Sequence, residues 1–205
     1  MKIGITSDCS SGLEYAPFEH HIKITRTTIH FKDEELIDGI DIKAEEFYRR
    51  LKETDIVPST SAPSLGEISK RVEELKAEGC TDVIHFPISF GLSAYGENLL
   101  NAFDNMVEGV KLHVFNCHSA CLMEGYCAHY AEILAERGYT VEEIMDECQK
   151  FADQTVAYLI VDDLKYLVKN GRLNAVSGFI GGLAKIKPIL QLAKNGTIDV
   201  FEKIR

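Results

Sequence analysis

Short β-branched runs alternate with helix-length amphipathic segments over the first three-quarters of the chain, and this alternation constrains the fold more than any other feature. Residues 2–8 (KIGITSD) run apolar and alternating, then break at Cys9-Ser10-Ser11-Gly12, as a first strand ending in a polar loop would. Residues 22–31 (IKITRTTIHF) read as a second strand. Residues 33–41 are acidic and turn-like, and Asp41 is placed to N-cap a helix over 43–53. The PSTSAP segment at 58–63 reads as irregular. Ser64 with Glu67 fits a capping box that opens a helix to about Glu78, where Gly79 closes it. Residues 82–88 form a short buried strand, and after SFGLSAYG an amphipathic helix runs to Val107. A strand at 111–115 precedes a helix at about 120–136, and Thr140 with Glu143 caps a further helix to about Ala152. Strands separated by helices need crossover connections, which give parallel pairing. Residues 1–154 are therefore expected to form an α/β lobe with a parallel, doubly wound sheet.

From about residue 155 the pattern changes. Residues 155–161 read as a strand, and Asp162 or Asp163 caps a short helix that stops at Asn170-Gly171. A glycine-rich helical stretch is expected at 176–184, then a β-hairpin of 186–192 and 197–203 around Lys194-Asn195-Gly196. Residues 155–205 are thus read as the beginning of a second, partial α+β lobe. About fifty residues bury too little surface to stand alone, so this part is expected to dock on the first lobe.

Composition narrows the partners. The net charge is −10 and the pI is about 5.2, a field that repels nucleic acid and anionic membranes, so neither is an expected partner. No run reaches the eighteen apolar residues of a membrane helix, and the first ten residues do not read as a signal peptide. A cytoplasmic protein is the expectation, with its six cysteines as free, mostly buried thiols.

In a parallel α/β sheet, ligands bind outside the carboxyl ends of the strands. Those ends carry Ser7-Asp8-Cys9-Ser10-Ser11, Ser89-Phe90-Gly91-Leu92-Ser93 and Asn116-Cys117-His118-Ser119, and the Ser59-Thr60-Ser61 segment adds a fourth hydroxyl-rich element before a helix. Hydroxyls and helix N-termini are good donors to an anion, although each element alone also reads as an ordinary N-cap. No glycine-rich phosphate fingerprint of the Rossmann or P-loop type occurs, and Gly178, Gly181 and Gly182 read as close helix packing. His113, Cys117, His118, Cys121, Cys127 and His129 do not match a zinc spacing, so no metal is expected. Cys117 beside His118 is a weak nucleophile–base pair, because adjacent side chains rarely face each other. Arg172, just after Asn170-Gly171, reads either as a helix-end cation or as an anion ligand.

Taken in order, these segments resemble the DegV family. GITSDCSSGL is similar to its TDSTSDL motif, IDGIDIKAEEFYRRL to DGxDIxxEEFY, and VPSTSAPSLGEI to PTTSQPSxGEF. HFPISFGLSAYGENLLNA resembles ISSGLSGTYQSA, DDLKYLVKNGRL resembles LxxLxKGGRI, and IKPIL occurs in both. The resemblance implies an EDD-type α/β fold in two lobes, with a long-chain fatty acid in an apolar tunnel between them. It implies that the hydroxyls of Thr60 and Ser93 donate to the ligand carboxylate and that Arg172 supports it. It also implies that the chain catalyses nothing, uses no cofactor, and delivers the fatty acid to a dihydroxyacetone-kinase-like fatty acid kinase. A small hydrolase or transferase using Ser93 or Cys117, and a ligand-free interaction module, are the alternatives.

The sequence departs from the family pattern near the implied carboxylate end. Phe90 stands for serine, Ala94-Tyr95 for Gly-Thr, Ala62 for glutamine and Asn116-Cys117 for Asp-Ser. Phe90 and Tyr95 are expected to narrow the mouth or shift head-group preference. Family members also continue past the segment matching Glu202–Arg205. The expectation is a shortened chain, without the part that completes the second lobe and without the histidine that meets the carboxylate.

Overall fold

The computed structural model describes residues 2–102, 106–173 and 188–203. In chain order its first elements are β1 (Ile3–Asp8), β2 (Lys23–Thr25), β3 (Thr28–Phe31), β4 (Glu34–Ile37), α1 (Ala44–Glu53) and β5 (Ser59–Ser61). Next come α2 (Leu65–Ala77), β6 (Asp82–Phe86), α3 (Tyr95–Ala102), β7 (Lys111–Val114), α4 (Leu122–Glu136) and α5 (Val141–Gln154). β8 (Tyr158–Leu159), α6 (Lys165–Lys169), β9 (Pro188–Leu192) and β10 (Ile198–Lys203) complete the set.

The helical crossovers give the expected parallel sheet, in the order β2-β1-β6-β7. β1 pairs with β6 in the register Ile5↔Ile84 and Ser7↔Phe86, and with β2 on its other side. Both sheet faces are covered, as continuous apolar strands require. One face packs Ile5, Ile84, Phe86 and Phe115 against Cys127, Ala131 and Leu134 of α4 and Ile144 and Cys148 of α5. The other packs Val83 against Ile68, Val72 and Leu75 of α2 and Leu99 of α3. From β1 the chain passes to β2 on one side, and later to β6 on the other. The loops after β1 and β6 therefore diverge, which makes their carboxyl ends the topological switch point.

Several expectations needed correction. The run 22–31 is two strands. It leaves the main sheet at Arg26, whose guanidinium pairs with Glu14 (2.6 and 2.7 Å) and donates to the Asp38 carbonyl (3.1 Å). β3 then forms a small antiparallel sheet with β4 and β5, in the order β4-β3-β5. Residues 34–37 and 59–61 had read as turn and irregular chain because they lack an apolar alternation, but ladder pairing needs only backbone groups. Asp41 does not cap α1. Its carboxylate accepts from the Ile37 N–H (2.8 Å), and Lys43 occupies the N-cap position without a side-chain bond. The strand expected at 155–161 is confined to Tyr158–Leu159. Thr140 and Glu143, by contrast, form both halves of a capping box.

The second sheet is antiparallel, in the order β10-β9-β8, and includes the expected hairpin. Leu190, Leu192, Ile198 and Leu173 form its core, with Leu167 of α6 and Leu92 of the first lobe packed against them. The glycine-rich stretch at 176–184 and the hairpin residues 186–187 lie outside the described residues.

The hairpin turn docks on the switch point. The buried Ser89 hydroxyl donates to the Gly196 carbonyl (2.8 Å). Gly196 has φ +79°, and a Cβ there would lie 1.9 Å from Ser89 Oγ. Backbone conformation and close approach both demand glycine. Gly196→Ala should therefore destabilise the protein by about 2 kcal/mol or more, lowering the melting temperature by roughly 5 °C. A thermal melt unchanged to within a degree would contradict this account of the lobe contact.

Candidate functional site

A cavity of about 700 Å³ opens at the switch point, within the size range of small-molecule sites. Asp8, Cys9 and Ser10 from the end of β1 line it, as do Ile88, Leu92 and Ser93 from the loop after β6. Thr27, Ile29 and Thr60 come from β3 and β5, and Leu167, Asn170 and Arg172 from α6 and its end. Thr60, Ser93 and Arg172, the three residues named from the sequence, thus line one cavity.

Each is placed by an identifiable local device. Thr60 lies opposite Ile29 in the β5–β3 ladder. Alternation turns Ser61 to the other face, where it meets His30 Nε2 at 2.6 Å. Ser93 precedes α3, and its hydroxyl oxygen accepts from the Tyr95 N–H (3.2 Å). Arg172 follows Gly171, whose φ of +72° ends α6. Its Nε donates to the Leu92 carbonyl (3.3 Å), and Nη1 donates to the Asn170 carbonyl. Asn170 Nδ2 in turn donates to the Pro58 carbonyl (3.4 Å). The end of α6 therefore ties together the two loops that carry Ser93 and Thr60. Among the described residues, no carboxylate pairs with Arg172.

One apolar stretch of the wall comes from α1. Ala44, Phe47, Tyr48 and Leu51 all line the cavity. They stand at i, i+3, i+4 and i+7, one stripe of the helix. The opposite side carries Arg49, paired to Glu46 (2.8 Å) and Glu53 (2.6 Å), and Arg50, paired to Glu46 (2.7 Å) and Glu34 (3.1 Å). No residue of α1 is buried. An amphipathic helix normally hides its stripe in a core; this one turns it onto an open cavity. Sequence reasoning found the helix but assigned its stripe no role. The 3.6-residue spacing of Ala44, Phe47 and Leu51 beside the DGIDI segment was the available signal.

The four hydroxyl-rich elements do not all converge. Ser89 and Ser11 are spent on the Gly196 and Asp8 carbonyls. Cys117, His118 and Ser119 line a separate cavity of about 340 Å³, beside Phe151, Tyr158 and Lys194. His118 has φ +53°, and Asn116 Oδ1 accepts from its backbone N–H (2.9 Å). The Cys127 thiol donates toward Cys117, which makes Cys127 the harder of the two to ionise. His113 meets Asp82 (3.0 Å) and His129 meets Glu132 (3.0 Å). Among the described residues, no three such side chains converge as metal ligands. Burial pushes the Cys9 thiol in the main cavity up to about 11 and holds the His85 imidazole, behind Tyr95, down at about 3. Neither is charged near neutral pH.

The chain resembles known proteins along its whole length. A sequence profile described as "Uncharacterised protein, DegV family" matches residues 2–205. A DegV domain-containing protein of Staphylococcus aureus (strain N315) is 35% identical over 207 residues, covering 100% of this chain and 71% of the relative. The crystal structure of a fatty acid binding DegV family protein from Streptococcus agalactiae superposes with a TM-score of 0.88. It is 27% identical, over 100% of this chain and 72% of that one. The structure of DegV, a fatty acid binding protein from Bacillus subtilis, gives a TM-score of 0.86 at 33% identity, with the same coverage.

Within that likeness, one departure is compensated. Phe90 is absent from the cavity lining, although Tyr95 is present in it. The Phe90 ring lies over Gly96, where a Cβ would fall 2.0 Å from Cε1. The Phe90 ring therefore occupies the space that a side chain at position 96 would need. Gly96→Ala should cost about 1–3 kcal/mol in the natural chain, by overpacking. In a Phe90→Ser background it should cost little, and denaturant unfolding of the four proteins measures the coupling. Additive effects would show that the two positions are independent.

Proposed function

The chain belongs to the DegV family, and from that premise we propose that it is a carrier for a long-chain fatty acid. The acyl chain lies in the cavity beneath α1, and the carboxylate meets Thr60, Ser93 and Arg172. The observation that carries the reading is the α1 stripe. Four apolar or aromatic side chains face a cavity rather than a core, and an acyl chain is the apolar partner that such a surface lacks.

Magnitudes support the assignment. Each buried methylene contributes about 0.8 kcal/mol. About fourteen of them supply roughly 11 kcal/mol before ordering costs, enough for tight binding with few polar contacts. A buried carboxylate without donors would cost several kcal/mol. Ser93 accepts from the Tyr95 N–H, so its own proton can serve an anion. Arg172 adds charge-assisted bonding. The fatty acid binding described for the two solved relatives supports the same ligand class.

In this reading the protein needs no nucleophile, metal or cofactor. It works in the cytoplasm and holds the acyl carboxylate for a separate dihydroxyacetone-kinase-like fatty acid kinase to phosphorylate. Binding and chemistry are divided between two chains.

Native mass spectrometry of the protein purified from cells should find a retained long-chain acid. Ser93→Ala and Thr60→Ala should each weaken binding by roughly tenfold to a hundredfold, the worth of a hydrogen bond to a charged group. Their melting temperatures should stay within a few degrees of the natural protein. Leu51→Glu, on the α1 stripe, should abolish retention with equally little effect on stability. An empty natural protein, or variants that all retain lipid as it does, would overturn the carrier reading.

A further inference from the structure

Two carboxyl side chains meet where Asp8 lines the cavity, with Glu124 buried behind it. Asp8 is 2% exposed and Glu124, on α4, is fully buried. Two serine hydroxyls lie against them, with four contacts in all. Ser7 Oγ lies 2.7 Å from the Phe86 carbonyl and 3.1 Å from Glu124 Oε1. Ser10 Oγ contacts Asp8 Oδ1 and lies 2.8 Å from Glu124 Oε2. The two hydroxyls bring two protons to four contacts. Ser7 gives its proton to the Phe86 carbonyl, which can only accept, and Ser10 cannot give its one proton to both carboxyl groups, so the Asp8–Ser10–Glu124 chain needs a carboxyl proton. Burial raises Asp8 as well, but it receives the N–H groups of Ile88 and Ser10, each at 2.9 Å, and such bonds favour its ionised form over that of Glu124. The carboxyl proton therefore belongs on Glu124.

We propose that Glu124 is a positioning residue for the head-group end of the cavity: held protonated, it fixes Ser10 and Asp8 and keeps this wall at one negative charge instead of two. This rests on the cavity receiving an anionic head group. Asp8 and Ser10 line the same cavity as Thr60, Ser93 and Arg172. A second charge on that wall would oppose a carboxylate directly. Burial and the Asp8 charge both push the Glu124 proton toward retention. The other titratable groups facing the pair are Cys117 from the loop after β7, Cys9 from the turn after β1, and Tyr95 at the start of α3. All are acids or thiols, and Arg172, which lines the same cavity, is not among the groups that act on Glu124.

The sign of the pH effect follows. At low pH the proton is present and the wall carries one charge. As pH rises through the raised Glu124 value the proton leaves, Ser10 loses its donor, and affinity for a carboxylate falls. Glu124→Gln keeps an N–H donor and cannot ionise. The test is oleic acid binding to the natural protein, Glu124→Gln and Glu124→Ala, from about pH 6.5 to about pH 9.5. Infrared spectra in H2O and D2O monitor the protonated-carboxyl stretch. The proposal expects that stretch in the natural protein near neutral pH and its absence from Glu124→Gln. It expects Glu124→Gln to match natural affinity near neutral pH, while Glu124→Ala binds about fivefold or more weakly or does not fold. Over the pH range in which the stretch disappears, natural affinity should fall by about fivefold or more relative to Glu124→Gln. The ratio cancels the titration of oleic acid itself. Loss of binding in Glu124→Gln near neutral pH, or an absent stretch in the natural protein, overturns the proposal. Failure of every protein to bind oleic acid while the stretch is present overturns the carrier reading, and with it the head-group role, but leaves the buried proton established.

Discussion

The site depends on the pairing of β1 with β6. Their register sets Ser7 beside Phe86, so the two strands end together and release their loops at one place. Asp8 then fastens those loops to each other, accepting from Ser10 in its own turn and from Ile88 in the other. A parallel pair with helical crossovers has to bury its strand ends under something, and divergent loops leave a crevice there. Everything added later in the chain is arranged around that crevice. The hairpin turn locks to Ser89, the end of α6 bridges the Pro58 and Leu92 backbones, and the β3–β5 ladder raises Thr60 on the third side.

The parts differ in how strongly the protein itself holds them. The main sheet sits between two buried clusters and is fixed by packing. α1 has ion pairs on its outer side and an apolar stripe over a cavity, with no residue in a core. Local stability tracks buried apolar contact. α1 is therefore the element whose free energy depends most on what fills the cavity. A carrier benefits from that division, because a rigid frame keeps the polar end in place while the covering element takes its stability from the cargo.

Most of the main sheet was legible in the sequence because burial on both faces writes itself as apolar runs and capping writes itself as Ser/Thr–Glu spacing. The Thr140–Glu143 box and the β9–β10 hairpin are cases where local chemistry sufficed. β4 and β5 were not legible. Their pairing uses backbone groups, and residues such as Glu34, Glu35 and Ser59 carry no hydropathy signal. The Asp41 cap failed because the same carboxylate had a nearer backbone donor at Ile37. At the site, motif likeness named Thr60, Ser93 and Arg172, and the fold brings them to one cavity. The α1 stripe was overlooked because amphipathicity alone does not say whether a helix faces a core or a cavity. Phe90 was misplaced for a related reason: the change at 90 makes sense only beside Gly96, and neither position declares the contact alone.

An anionic cargo and a chain of net charge −10 look incompatible until distance is considered. In physiological salt the screening length is about 8 Å. The exposed acids around α1 and α5 therefore contribute little to the potential inside the cavity. What counts is the charge within the first few ångströms of the head group, in a setting where water does not screen it. On that scale the cavity offers one guanidinium and hydroxyl donors against the Asp8–Glu124 pair. In the proposed site, one proton between them leaves a single negative charge to set against Arg172, and the hydroxyl donors then favour a carboxylate. With none, the balance turns against it. The local proton therefore matters more to binding than the charge of the whole molecule, and a single buried glutamate can outweigh the surface acids together.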